Sequence, residues 1–104
     1  MRRHYITESI QTALKSITLP VEVRLFGSEA RGDARPDSDI DLLVLVDKPY
    51  VTPEEEDAIF RPLYQVELQT GVPVNPIIIP KDSWGKRVTP FYINVENEGI
   101  WLNN

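Results

Sequence analysis

Val21-Glu22-Val23-Arg24-Leu25-Phe26-Gly27-Ser28-Glu29-Ala30-Arg31-Gly32-Asp33-Ala34-Arg35-Pro36-Asp37-Ser38-Asp39-Ile40-Asp41-Leu42-Leu43-Val44-Leu45-Val46 is the stretch on which the fold turns. Its first six residues alternate apolar with charged side chains and stop at Gly27, the pattern of a half-buried strand. From Ile40 onward it is apolar except for Asp41, as a strand covered on both faces and central in a sheet would be. Gly27 to Ser38 carries no period and is rich in Gly, Asp, Ser and Arg, which marks a loop with room for a short helix beginning near Ser28.

Working outward, Ile6, Ile10, Ala13, Leu14 and Ile17 recur at helical spacing ahead of Pro20 and predict a first amphipathic helix from about residue 5 to about residue 17. On the other side, Thr52-Pro53-Glu54-Glu55 has the form of a helix start: an N-cap, a proline at the first position and acids at the positive end of the dipole. That helix should reach Thr70 and stop at Gly71, with a kink or a break at Pro62. Val72 to Pro80 holds Ile77-Ile78-Ile79 and reads as a strand, placed at an edge by Pro73 and Pro76. Pro90 to Glu98 reads as a last short helix, closed by Gly99 before Ile100-Trp101-Leu102. The order predicts a small α/β (α+β) fold, a short mixed sheet with helices packed on one side.

A chain of 104 residues suits a single domain over residues 1–104. Apolar residues make up 41% and charged residues 26%, ordinary values for a folded domain, so neither disorder nor a fibrous repeat is expected. The net charge of -5 argues against a broad phosphate-neutralising surface, so nucleic acid is not expected as the main partner. The absence of cysteine excludes disulfides and thiolate chemistry, and His4 alone cannot build a histidine zinc site. No apolar run is long enough for a signal peptide or a membrane span, so a cytoplasmic protein with no membrane partner is expected.

The chemistry concentrates between Gly27 and Asp41. Side chains alternate along a strand, so Asp39 and Asp41 can offer two carboxylates to one ion from one face, and two hard oxygens suit Mg²⁺. A lone carboxylate inside an apolar strand would cost several kcal/mol, and a bound cation would account for Asp41. Gly27 lets the backbone approach a phosphate, Ser28 adds a hydroxyl and an amide, and Arg31 and Arg35 could add positive charge. A nucleotide phosphate would thus meet a donor-rich loop on one side and a metal-bearing strand on the other.

At these residues the chain resembles the minimal nucleotidyltransferases of the DNA polymerase β-like superfamily, whose signature is Gly-Ser, ten residues, then Asp-x-Asp. Here Gly27-Ser28 is followed by Glu29 through Ser38 and then Asp39-Ile40-Asp41, matching in spacing, and Phe26, Ala30-Arg31-Gly32, Ser38 and Leu42-Leu43-Val44 extend the likeness. The resemblance implies a polymerase β-like nucleotidyltransferase fold and Mg²⁺-dependent transfer of a nucleoside monophosphate, AMP above all, from ATP or another NTP to a hydroxyl of a protein or small molecule. It implies that Gly27, Ser28 and Arg31 hold the nucleotide and that Asp39 and Asp41 bind metal and act in catalysis. Many minimal domains of this kind are similar to antitoxins encoded beside a HEPN-type partner.

The family's third carboxylate lies on a neighbouring strand, and in Gly71-Val72-Pro73-Val74-Asn75-Pro76-Ile77 its place falls to Asn75, which can ligate but carries no charge and cannot act as a general base. Glu67 is a conceivable substitute on a helix expected to face solvent there. Two readings are open: an active nucleotidyltransferase, or a nucleotide-binding, catalytically weak module that serves protein interaction. Arg2-Arg3-His4 reads as a solvated terminal group, Glu54-Glu55-Glu56-Asp57 as a response to the helix dipole, and Trp84, Phe91, Tyr92 and Trp101 as core or partner surface.

Overall fold

The computed structural model describes residues 3–103; Met1, Arg2 and Asn104 lie outside the described residues. The elements are α1 (His4–Leu14), β1 (Val21–Phe26), α2 (Ser28–Arg31), β2 (Ile40–Val46), α3 (Pro53–Thr70), β3 (Val74–Pro80), α4 (Pro90–Glu98) and β4 (Ile100–Trp101), with a 3₁₀ turn at Lys81–Ser83. The strands form one sheet in the order β3-β2-β1-β4. β1 runs antiparallel to both β2 and β4, while β2 and β3 are parallel, with α3 as the crossover between them. The sheet is mixed, β2 is central, and β3 is an edge where Pro76 and Pro80 need donate to no further strand.

The strict alternation of β2 divides the interior into two parts. Ile40, Leu42, Val44 and Val46 point to one face, with Val23 and Leu25 of β1, and meet Ile6, Ile10 and Leu14 of α1 and Ile59, Leu63 and Val66 of α3. Leu43 and Leu45 point the other way and meet Val95 of α4, with Phe26, Ile79 and Trp84 around them. The helices therefore do not all lie on one side. α1 and α3 close one face, and α4 adds a smaller cover to the other, because Leu43 and Leu45 are apolar where a one-sided sheet would carry polar residues.

Local chemistry sets the element ends. Thr52 accepts from the amide of Glu55 while the Glu55 carboxylate accepts from the amide of Thr52, a reciprocal capping box. Of the kink or break expected at Pro62 the break does not occur, and α3 is one helix across it; Ala58, whose carbonyl loses its donor there, lies on the exposed side where water can replace it. α1 ends three residues early, at Leu14, because the amides of Lys15, Ser16 and Ile17 turn back to carbonyls three residues before them and tighten the last turn. β4 is an element that the sequence does not announce: Gly99 lets the chain pass directly from α4 into it, and a Cβ at that position would meet the Val95 carbonyl oxygen at 2.5 Å.

Candidate functional site

The site is built where β1 ends and β2 begins. Phe26 is paired with Asp41 across the antiparallel ladder, so Gly27, the next residue, turns away directly beside the Asp41 carboxylate. Gly27 has φ 76° and ψ -154°, and a Cβ placed on it would come 2.7 Å from Oδ2 of Asp41. Glycine is required there twice, by the backbone conformation and by the carboxylate filling the space. Ser28 opens the four-residue α2, which closes on Gly32 in the left-handed region, its amide donating back to Ser28.

β2 and β3 are in register so that Asp41 stands opposite Asn75. The Asn75 amide donates through Nδ2 to Oδ2 of Asp39 at 3.2 Å and also lies within hydrogen-bonding reach of Asp41. Asp39, Asp41 and Asn75 thus gather on one side of the sheet, in keeping with their spacing. Asp41 is half-buried at the second position of β2, not deep within it. Burial pushes its carboxyl above the ordinary carboxylate range, the neighbouring Asp39 charge adds to the rise, and the Asn75 hydrogen bond opposes it. Among the described residues no cation forms an ion pair with this carboxylate. Among the described residues no group of three or more His, Cys, Asp or Glu side chains forms a metal cage, and the residue that stands opposite Asp41 is the amide Asn75. Two carboxylates and an amide oxygen, which χ2 rotation can turn inward, remain a donor set that a hard divalent cation accepts.

Arg31 departs from its expected place. Its guanidinium reaches Oδ2 of Asp33 at 3.3 Å and Oε2 of Glu98 at 3.6 Å, both exposed, and is turned to these acids. It does line a cleft beside Gly27, together with Phe26, Phe91, Asn94 and Glu98. Arg35 is exposed, and its amide donates to the Ser38 hydroxyl. Glu67 does not face solvent: it is half-buried and accepts from the amide of Val74, fixing the start of β3. The aromatic residues divide as core and surface. Trp84 and Phe26 pack edge-on against Phe91, and Trp101 lies under the Arg24 guanidinium at 4.1 Å. Two wider concavities, one between α3 and β3 and one between α1 and β4, lie away from the carboxylates.

The largest departure is Arg3. It is buried, not solvated. Its Nε donates to Oε1 of Glu29 at 2.9 Å, and its terminal nitrogens donate to the carbonyls of Pro36 at 3.0 Å and Ser38 at 2.6 Å. Glu29, which the sequence does not single out, is 1% exposed. A glutamate in the first turn of a loop helix, with an arginine at the start of the preceding helix, is too common a pattern to reveal the pair.

A family model described as a nucleotidyltransferase domain matches residues 7–102. Two proteins of Methanocaldococcus jannaschii are similar to the chain. "Putative protein adenylyltransferase MJ0141" is 38% identical over 78 residues, which is 75% of this chain and 74% of that protein. "Putative protein adenylyltransferase MJ0604" is 33% identical over 79 residues, 75% of this chain and 73% of that protein. A solved structure titled "Crystal structure of the toxin-antitoxin with AMP-PNP" superposes with a TM-score of 0.65 at 20% identity, covering 92% of this chain and 71% of that one, which supports the fold. No helix among the described residues is long and apolar enough to cross a membrane.

Proposed function

Because this chain belongs to the nucleotidyltransferase domain family, we propose that it transfers AMP from ATP, with Mg²⁺, to a hydroxyl on a partner protein. The observation that carries the reading is the fit of Gly27 against the Asp41 carboxylate, which seats the turn before Ser28 beside the residues that face Asn75. The similar proteins named as protein adenylyltransferases support a protein acceptor, the toxin-antitoxin title of the structural neighbour is in keeping with a partner protein, and the resemblance to antitoxins makes that partner HEPN-type in this reading.

In this reading the Gly27 backbone and Ser28 hold the β- and γ-phosphates, and Asp39 and Asp41 hold the cation. A bound Mg²⁺ would supply neutralisation of the phosphate charge between these two carboxylates and the loop. The acceptor oxygen bonds to the α-phosphorus as the bond to pyrophosphate breaks, a reaction that needs positioning and charge stabilisation more than covalent help from the protein. Asn75 has no site for the acceptor's proton, which is left to water. Arg31 would have to release Asp33 and Glu98 to reach a phosphate; both pairs are exposed and cost little to break.

Asn75 also favours a second reading, a nucleotide-binding module with weak transfer, since its amide donates to Asp39 where a carboxylate would have added a charged ligand. Incorporation of labelled AMP into a candidate partner, by the natural chain and by Asn75→Asp, separates the two. Slow transfer by the natural chain and a rate ~10²-fold or more higher in Asn75→Asp is expected. Nucleotide binding without transfer by either form would favour the binding module.

A further inference from the structure

The structure assigns Arg3 and Glu29 as a positioning pair that holds the two halves of the nucleotide site in register. The inference rests on the transferase reading. The loop from Gly27 to Asp39 carries one half of the site at its start and the other at its end. Arg3 grips it at both: Glu29 is the residue after Ser28, and Ser38 is the residue before Asp39. Between them, the Pro36 carbonyl takes a third donor of the same guanidinium. The backbone amide of Arg3 also donates to Oε2 of Glu29, so the carboxylate is held by two atoms of one residue.

The anchor is firm because Arg3 itself is fixed. Its carbonyl accepts from the amides of Ile6 and Thr7 at the start of α1, and Ile6 and Ile10 are fully buried beneath the sheet. A planar guanidinium with donors in a fixed fork can meet a carboxylate and two carbonyls at once; an ammonium has neither the spread nor the planarity. A buried pair of this kind is a poor source of net stability, since matched apolar residues often replace one without loss. What it does supply is a defined geometry, like the outer groups that orient ligands at a metal site.

The test separates geometry from stability. In the single variant Arg3→Met, Glu29 is left buried without its partner and the fold is expected to weaken. The double variant Arg3→Met/Glu29→Leu removes both charges, and its melting temperature should return to within about 3 °C of the natural chain. Amide exchange at Gly32, Asp33 and Ser38 should nevertheless be at least about tenfold faster in it, with exchange at Val44 unchanged. Its affinity for ATP in saturating Mg²⁺ should fall by ~10–100-fold. Arg3→Lys should also lose affinity although it keeps the charge.

A double variant that binds MgATP as the natural chain does, whether or not its loop exchanges faster, would overturn the assignment. So would a binding loss that follows melting temperature across the three variants. Absence of MgATP binding by the natural chain would overturn the transferase reading and the pair's role together, and is told apart because it appears before any substitution is made.

Discussion

The two faces of the sheet are made by the same strands and differ in what they hold. On the face beneath α1 and α3, β2 presents Ile40, Leu42, Val44 and Val46, each at most 1% exposed and packed in the larger apolar cluster. On the other, β2 presents Asp41 before Leu43 and Leu45, β1 presents Glu22 and Arg24, β3 presents Asn75, and α4 covers only part. Several polar groups there are paired, Arg24 with Glu96, Glu22 with Lys81 and Asn75 with Asp39, while Nε of Arg24 is buried without a hydrogen-bond partner. One face carries the larger apolar cluster, and the other carries a smaller one together with the carboxylates at its end. A period of two is enough to divide the labour.

Truncation on the two faces should have unequal cost. Leu42→Ala, at a fully buried position in the larger cluster, is expected to lower stability by ~2–5 kcal/mol, while Ile77→Ala, 40% exposed on the open face, should cost under about 1 kcal/mol. Denaturant unfolding of both measures the difference. Equal costs would mean that the open face is packed as tightly as the closed one.

Gly27→Ala comes next, at about 1–3 kcal/mol, from the positive φ and from the Cβ forced onto the Asp41 carboxylate. A double-mutant cycle with Asp41→Ala isolates the second cause. The alanine at 27 should cost less once the carboxylate is gone, with a coupling on the order of 0.5 kcal/mol or more. No coupling would show that backbone conformation alone demands the glycine.

Asp41→Asn should act in the opposite sense and by the smallest amount, raising the melting temperature of the ligand-free chain by a few degrees at neutral pH. The folded state raises this carboxyl's affinity for a proton, through burial first and Asp39 second. Its ionised form is therefore penalised on folding. The penalty is absent below the unfolded value, where the carboxyl is protonated in both states, and grows as pH rises through the folded value. The advantage of Asp41→Asn should follow the same course, vanishing in acid. An advantage that persisted at low pH would point to packing instead of charge.

Much of this arrangement is legible in the residues. Val21 to Val46 declares two strands and a loop, and Thr52, Pro53 and Gly71 bound α3, because period and capping are local signals. The likeness around Gly27-Ser28 and Asp39-x-Asp41 leads to Asn75, and the register places it opposite Asp41. What escapes depends on distance or on brevity. The partner of Arg3 lies 26 positions away, so its charge resembles that of any solvated arginine. The Arg31 ion pair with Glu98 joins α2 to α4 across the sheet's open face, which no periodicity announces. β4 has two residues, too few for alternation to be read. The second helical cover is hidden because Leu43 and Leu45 sit in an unbroken apolar run that fits a strand buried on both faces without saying by what.

In the proposed function Gly27, Ser28, Asp39 and Asp41 form one site for a nucleotide with its divalent cation. Calorimetric titration of the natural chain and of Asp41→Asn with ATP, each in saturating Mg²⁺ and again in chelator, tests this most directly. Binding by the natural chain that requires Mg²⁺ and is lost in Asp41→Asn, while the variant stays folded, is the predicted result. No binding by the natural chain, or equal binding by both forms with and without Mg²⁺, would contradict it.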